Sequence, residues 1–391
     1  MRRFSRILAG LLAGGLVVAA AQADTIKVGV IGTMSGPYAL FGRNFKYGID
    51  AFVAEHGNRV GNHTVEFIYK DEESPNPARA RSLAQELLVK DKVQYLAGFY
   101  FTPDALAAVP LLEETRTPMI VMNAATSSIT EKSPYIVRTG FTIWQMTVPA
   151  ARAAIKDGVK KVAIAVSDYA PGLDAETAFR KTFEAEGGSV VETIRMPLST
   201  TDFSPVVQRI KASGADAIFC FMPAGPPTIG LFKAYVDNGL KAAGIKLLAT
   251  GDLVTEADLP AAGDASLGVI SSFHYALSHD SAENKAFLEL LGKVGAPPDQ
   301  VVMTSVAAYD GARLIYKMIE ATEGRRDPAT AVEAVKGMSW VSPRGPVSID
   351  PATRHIRQNI YIRVVEKVDG RYVNRETGEV YADQPDWGLV K

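Results

Sequence analysis

The sequence is short of most of the groups that enzymes use. Cys220 is the single cysteine in 391 residues, so no internal disulfide can form. Its place inside Ala217–Phe221 reads as a small buried side chain on a strand, not a reactive thiol. Histidines stand at 56, 63, 274, 279 and 355, scattered and at no metal-ligand spacing, so no metal is expected. His279-Asp280 reads as a surface turn rather than an acid–base pair. There is no Gly-x-Ser-x-Gly elbow, no His-Glu-x-x-His helix and no phosphate-binding Walker loop. Gly29, Gly32 and Gly36 follow a strand, but their spacing is not the dinucleotide fingerprint, and Asp71-Glu72 lies too far along to hold a ribose. A nucleotide cofactor is rejected, and no other cofactor is implied.

A second long apolar run is also missing. The one present, Ile7–Ala21, follows Arg2, Arg3 and Arg6 and ends in Ala21-Gln22-Ala23, the small-x-small pattern of a cleaved secretory leader. It is shorter than the ~20 residues of a membrane span and is interrupted by Gly10, Gly14 and Gly15. Cleavage after Ala23 is therefore expected, with a periplasmic product. No cysteine follows the run, so no lipid anchor is expected. The 368 residues from Asp24 onward carry 39 basic and 43 acidic side chains, a formal charge of −4. Such a balance holds no basic surplus for nucleic acid or anionic lipid.

A chain this long exceeds one comfortable core, so two domains are expected. Strand and helix patterns alternate from the start. Thr25–Ile31, Val65–Tyr69, Val93–Ala97 and Pro118–Met122 read as strands, separated by helices at Asn44–His56, Pro77–Lys90 and Asp104–Thr115. After Arg138 the grammar restarts, with strands at Val162–Val166, Ser189–Arg195, Ala217–Phe221 and Ile245–Ala249. The helices between them are Ile143–Lys156, Ala175–Glu186, Phe203–Ala212 and Thr228–Asn238. This order calls for two parallel sheets, each covered by helices on both faces. Further helices follow at Ala282–Leu291, Ser305–Glu323 and Pro328–Lys336, then a hairpin around Asp369-Gly370. No flexible linker separates the halves, so extended strands crossing between them are expected to form a hinge.

Open α/β sheets bind ligands at the C-terminal ends of their strands. The loops there are rich in hydroxyls and aromatics: Gly32–Gly42, Gly98–Pro103, Asn123–Ser128, Ser167–Gly172, Met222–Pro227 and Gly251–Leu253. Backbone N–H groups and hydroxyls just ahead of helices suit a carboxylate without a buried cation, although Thr102, Thr126 and Ser127 also read as plain helix caps. At least one of Phe99, Tyr100 and Phe101 should enter the core. The others, with Tyr38, Phe41 and Tyr169, would wall an apolar pocket.

These loops resemble the type I periplasmic binding proteins of the leucine/isoleucine/valine family, which feed ABC importers. The likeness covers the whole of the mature chain. It is carried by Lys27–Gly36 with Pro37, by Asn123-Ala124-Ala125-Thr126, by Tyr169 with Gly172, and by Ala307-Ala308-Tyr309-Asp310. The resemblance implies three crossings between lobes, near Ile136–Gly140, Ser271–Tyr275 and Pro343–Ile349. One lobe would comprise 24–138 and 276–345, and the other 139–275 and 346–391. It also implies that Phe101-Thr102 and Ala124-Ala125-Thr126 hold a ligand carboxylate, that Tyr169 closes over the ligand, and that Asp252 takes an ammonium group. Two departures alter that picture. Phe-Tyr-Phe-Thr-Pro replaces the family's serine run, and the loop around Ala224 lacks the family's tyrosine, so the site resembles the branch that binds aromatic acids.

The reading is thus a monomeric capture protein that hands a small hydrophobic carboxylate transiently to ABC permease subunits, with an aromatic acid preferred. A branched-chain or aromatic amino acid is the alternative ligand. A receptor ligand module and an exported hydrolase are the alternative roles; the polar end at Lys391 speaks against the first, and no nucleophile–base pair supports the second. Asp252 separates the ligand classes, because an unpaired carboxylate repels a simple aromatic acid yet accepts a phenol hydrogen bond or an ammonium group.

Overall fold

The computed structural model describes residues 24–390, so the expected leader and its cleavage site lie outside the described residues. The first sheet contains β1 (Thr25–Gly32), β2 (Arg59–Val60), β3 (His63–Asp71), β4 (Tyr95–Gly98), β5 (Met119–Val121) and β6 (Ile136–Arg138). They lie in the order β2-β3-β1-β4-β5-β6, parallel apart from the short β2–β3 hairpin. Helices α1 (Ala39–His56), α2 (Pro77–Val89) and α3 (Thr102–Thr115) connect these strands. Buried Phe41, Phe45, Ile49 and Phe52 on one face of α1 seat it in the core.

The second half opens with α4 (Ile143–Lys156), capped by Thr142 and Gln145 in a reciprocal box. Then come β7 (Lys161–Ser167), α5 (Ala170–Ala185), β8 (Ser189–Met196), β9 (Ala217–Phe221), β10 (Lys246–Thr250) and β11 (Ile270–Phe273). The chain returns to the first half through helices Ala282–Lys293 and Thr304–Thr322, which pack on α1. Asn44 fastens that return: its amide donates to Gln300 C=O at 2.8 Å and its oxygen accepts Val302 N–H at 3.0 Å. The last strands, β12 (Ser339–Ser342), β13 (Gly345–Ile349), β14 (Ile356–Val368) and β15 (Arg371–Gln384), complete the second sheet. Its order is β12-β13-β14-β11-β10-β9-β7-β8, with β15 paired to β14.

Two doubly covered α/β lobes joined by crossing strands are therefore present, as expected. The chain leaves the first sheet after β6 and the second after β11, and it has returned to the second sheet by β12. Ser339–Ser342, expected in the first lobe, pairs antiparallel with β13, and β13 pairs with β14, so the chain has entered the second sheet before residue 339. Ser-Trp-Val-Ser carries too little apolar alternation to read as a strand, and it forms through its hairpin partner.

Arg344, in the turn between β12 and β13, pins the crossings together. Its guanidinium lies 2.6 Å from Asp310 on the helix Thr304–Thr322, and both side chains are wholly buried. It also donates to Thr139 C=O at 2.7 Å, to Gly140 C=O at 3.2 Å and to Gln358 at 3.0 Å. Trp340 and Ser342 donate to the same Asp310 carboxylate, so the buried pair has its remaining valences met.

Candidate functional site

The first-lobe wall begins at a strained turn. Gly98 ends β4 at φ +99, where a Cβ would sit 2.2 Å from Ile31 C=O. Phe99 follows at φ +65, a conformation that side chains of its size rarely adopt. The turn sends Phe99 into the core and carries Tyr100 and Phe101 toward the other lobe. Asn123, at the end of β5, holds this loop by donating to Tyr100 C=O at 2.9 Å. Ala124 N–H reaches Phe99 C=O at 3.0 Å, and Thr126 N–H reaches the Thr102 hydroxyl at 3.4 Å.

From the second lobe come Tyr169 and Pro171 after β7, Phe221 and Pro223 after β9, and Asp252 after β10. Phe141 and Ile143 enter from the first crossing. Together with Tyr100, Phe101, Thr102, Asn123 and Ala125 they line a narrow space between the lobes. Tyr169 and Phe221 lie nearly parallel, 12° apart with centroids 6.1 Å distant. Among the described residues, no lysine, arginine or histidine lines this space.

Asp252 is the one acid in the lining, 4% exposed. The Thr250 hydroxyl donates to it at 2.9 Å. Burial outweighs that bond and the field of Arg363, and pushes its pKa up to about 7. Arg363 is occupied elsewhere, donating to Tyr275 C=O at 2.6 Å and to Ser271. Asp252 can therefore accept or donate a hydrogen bond near neutral pH.

Residues 25–371 match the family described as periplasmic binding protein. The chain belongs to this family. It is similar to a Leu/Ile/Val-binding protein homolog of Brucella melitensis, 60% identical across 98% of each chain. A solute-binding protein of an ABC transporter from Rhodopseudomonas palustris HaA2, solved with p-hydroxybenzoic acid, is 73% identical with a TM-score of 0.92, covering 94% of this chain and 99% of that one. A third, from Rhodopseudomonas palustris BisB5 with 3,4-dihydroxybenzoic acid, is 44% identical with a TM-score of 0.88, covering 94% and 100%. The protein is accordingly a periplasmic solute-binding component of the kind that serves ABC importers.

Of the ten residues expected to bind ligand, this binding protein brings Phe101, Thr102, Ala125, Tyr169 and Asp252 to the cavity. Tyr38 and Phe41 form a layer behind it: Tyr38 meets Phe101 edge-on at 5.0 Å, and Phe41 stacks on Tyr100 at 4.5 Å. Ala124 is in the first-lobe core, and Ala224 contributes its carbonyl to Tyr100, not to the cavity. Thr126 points its hydroxyl at Asp174 of α5 instead, at 2.5 Å, and Ser127 N–H donates to the same oxygen at 3.0 Å. The protein's own carboxylate thus occupies the Thr126 hydroxyl, which the resemblance assigned to a ligand. Phe141, Ile143 and Phe221 were not anticipated, while Asn123, Pro171 and Pro223 belong to the expected strand-end loops without having been singled out. Phe221 and Pro223 carried a usable signal, since they end and follow a strand. His279 also departs from a plain surface turn, meeting Glu376 at 2.9 Å while largely covered.

Proposed function

We propose that this binding protein captures a monocyclic aromatic acid bearing a ring hydroxyl, of the hydroxybenzoate class, and delivers it to an ABC permease. The carrying observation is a small aromatic-walled cavity with neutral donors at one end and Asp252 at the other. At the first-lobe end, the Thr102 hydroxyl, the Asn123 amide and backbone N–H groups of α3's first turn and of Ala125 would hold the carboxylate; hydrogen bonds to a charged acceptor are the stronger kind. The ring would lie among Phe101, Phe141, Tyr169 and Phe221. Its hydroxyl would donate to Asp252, which relieves a buried carboxylate of a missing partner. A plain benzoate brings Asp252 no donor beyond Thr250 and its own backbone N–H.

The p-hydroxybenzoic and 3,4-dihydroxybenzoic acids named for the two similar structures support this ligand class. A second reading, an α-amino acid with its ammonium on Asp252, is favoured by the name of the Brucella relative. The finer picture has the leader removed after Ala23, a monomer free in the periplasm, brief contacts with the permease, and no turnover of the ligand.

A thermal-shift panel separates the readings. Ligand at about 100 times its Kd stabilises the fold by about 2.7 kcal/mol. 4-Hydroxybenzoate and 3,4-dihydroxybenzoate should shift the midpoint well beyond benzoate, and leucine, valine and phenylalanine should not. Stabilisation by the amino acids alone overturns the proposal. Recovery of chemically altered ligand after incubation would overturn the non-catalytic role.

A further inference from the structure

The second-lobe loop Pro223–Pro226 also touches the first lobe outside the cavity. Ala224 C=O accepts the Tyr100 hydroxyl at 3.0 Å, a fully buried bond between the lobes. Next to it, Gly225 has φ +128, and a Cβ there would lie 3.0 and 3.1 Å from two carbons of the Tyr38 ring and 3.6 Å from Phe41. The Gly225 backbone is therefore laid against the Tyr38 ring, where a Cβ would press on it more closely than an ordinary van der Waals contact. The receiving surface is a packed group of rings. Tyr38 meets Phe101 at 86°, Tyr100 meets Phe101 at 85°, and Phe41 stacks on Tyr100 at 18°. On the second-lobe side, Thr228 fixes the loop by donating its hydroxyl to Gly225 C=O at 2.9 Å. Tyr38, Ala224 and Gly225 lie outside the cavity lining, so none of these contacts passes through ligand atoms.

We propose that the aromatic platform and the Ala224-Gly225 pair form a latch that closes the clamp in its own right, and that Gly225 is the residue that permits closure. The inference rests on the two-lobed clamp and not on which acid it holds. A latch of this kind raises the closed fraction of the unliganded protein, and apparent affinity scales with that fraction. A side chain at 225 presses on Tyr38 besides straining the backbone at φ +128, and removing the Tyr38 ring should cancel the part that comes from the contact.

The test pairs spin labels at Gln85→Cys on α2 and Lys233→Cys on the helix Pro227–Asp237; Cys220 is buried and does not compete. Without ligand, the wild-type background should show a closed, short-distance population of at least several per cent. Gly225→Ala should lose it. In titrations with 4-hydroxybenzoate, Gly225→Ala should weaken binding by about tenfold or more and Tyr38→Ala by severalfold. The double variant should lose clearly less than the sum of the two single losses, because the two residues share one contact beyond the strain that Gly225→Ala carries alone. Tyr100→Phe, which keeps the ring and deletes only the inter-lobe bond, should speed dissociation a few-fold while leaving the unfolding midpoint of the free protein near that of wild type. Additive losses in the double variant would mean backbone strain at 225 rather than a latch, and would overturn the proposal. So would an unliganded wild type with no closed population. Failure of 4-hydroxybenzoate to bind the wild type would sink the ligand assignment, while the distance measurement would still decide the latch.

Discussion

Two aspartates of the second lobe face the first lobe, and their surroundings are opposite. Asp174 gathers the Thr126 hydroxyl, the Ser127 N–H and the Trp144 indole. Asp252 has the Thr250 hydroxyl and its own backbone N–H. Burial raises both pKa values, but several donors pull Asp174 back while few act on Asp252. A carboxylate with its acceptor capacity filled by the other lobe is a clasp. One that is left short of donors in a cavity is waiting for a donor from outside.

The sharpest way to break this contrast is Asp252→Ala. If the phenol bond is real, 4-hydroxybenzoate should weaken by about 10- to 100-fold, the range of a hydrogen bond to a charged group. Benzoate should bind as well or better. Equal losses for both acids, measured by calorimetry, would make Asp252 as structural as Asp174.

Asp174→Ala tests the other half. It strands several buried donors and should cost about 2 kcal/mol of stability, read from the denaturation midpoint. Acetate at high concentration should restore part of that loss by entering the vacated place, whereas it should do nothing for Asp252→Ala.

The contrast also predicts a pH effect. Asp252 loses its proton around pH 7, above the ordinary carboxylate value of 3.8. Between pH 6 and 8 a negative charge therefore develops in the cavity, and benzoate affinity should fall several-fold as pH rises. For 4-hydroxybenzoate the fall should be smaller, since its O–H donates to the new charge. In the unliganded protein, the folded state binds this proton more tightly than the unfolded chain does. The Asp252 contribution to stability is thus lost as pH rises from about 4 to about 7. A pH-independent benzoate Kd would contradict the assignment.

The smallest expected change comes from Thr250→Val. It removes the side-chain donor to Asp252 and should move the benzoate transition upward by a fraction of a pH unit, with a two- to threefold change in affinity. No change would show that Asp252 is held by something other than Thr250.

Much of the architecture was legible because the periodicities are strong. Alternating β-branched runs and helical patterns locate both sheets, and the rule of strand C-terminal ends finds Thr102, Ala125, Tyr169 and Asp252. Boundaries suffered where loop residues begin helices. Helices α3 and α5 start at Thr102 and Ala170, earlier than expected, because Pro103 and Pro171 are well suited to a first turn. Phe141 and Ile143 could not be placed in the site from local pattern, since a crossing segment reaches the cavity only once both lobes exist. Thr126 was misleading for the same reason: its partner Asp174 lies 48 residues further on, in the other lobe.

The Arg344–Asp310 pin has a consequence for the order in which the molecule can be made. Arg344 closes on carbonyls 204 and 205 residues earlier in the chain, and Arg138 N–H waits for Arg354 C=O. The outer edge of the first sheet's last strand thus keeps Arg138 N–H without its partner until most of the polypeptide has emerged. Contacts of such long sequence separation form slowly. A chain whose hinge is completed by its final fifth can become a clamp only after nearly all of it has been made.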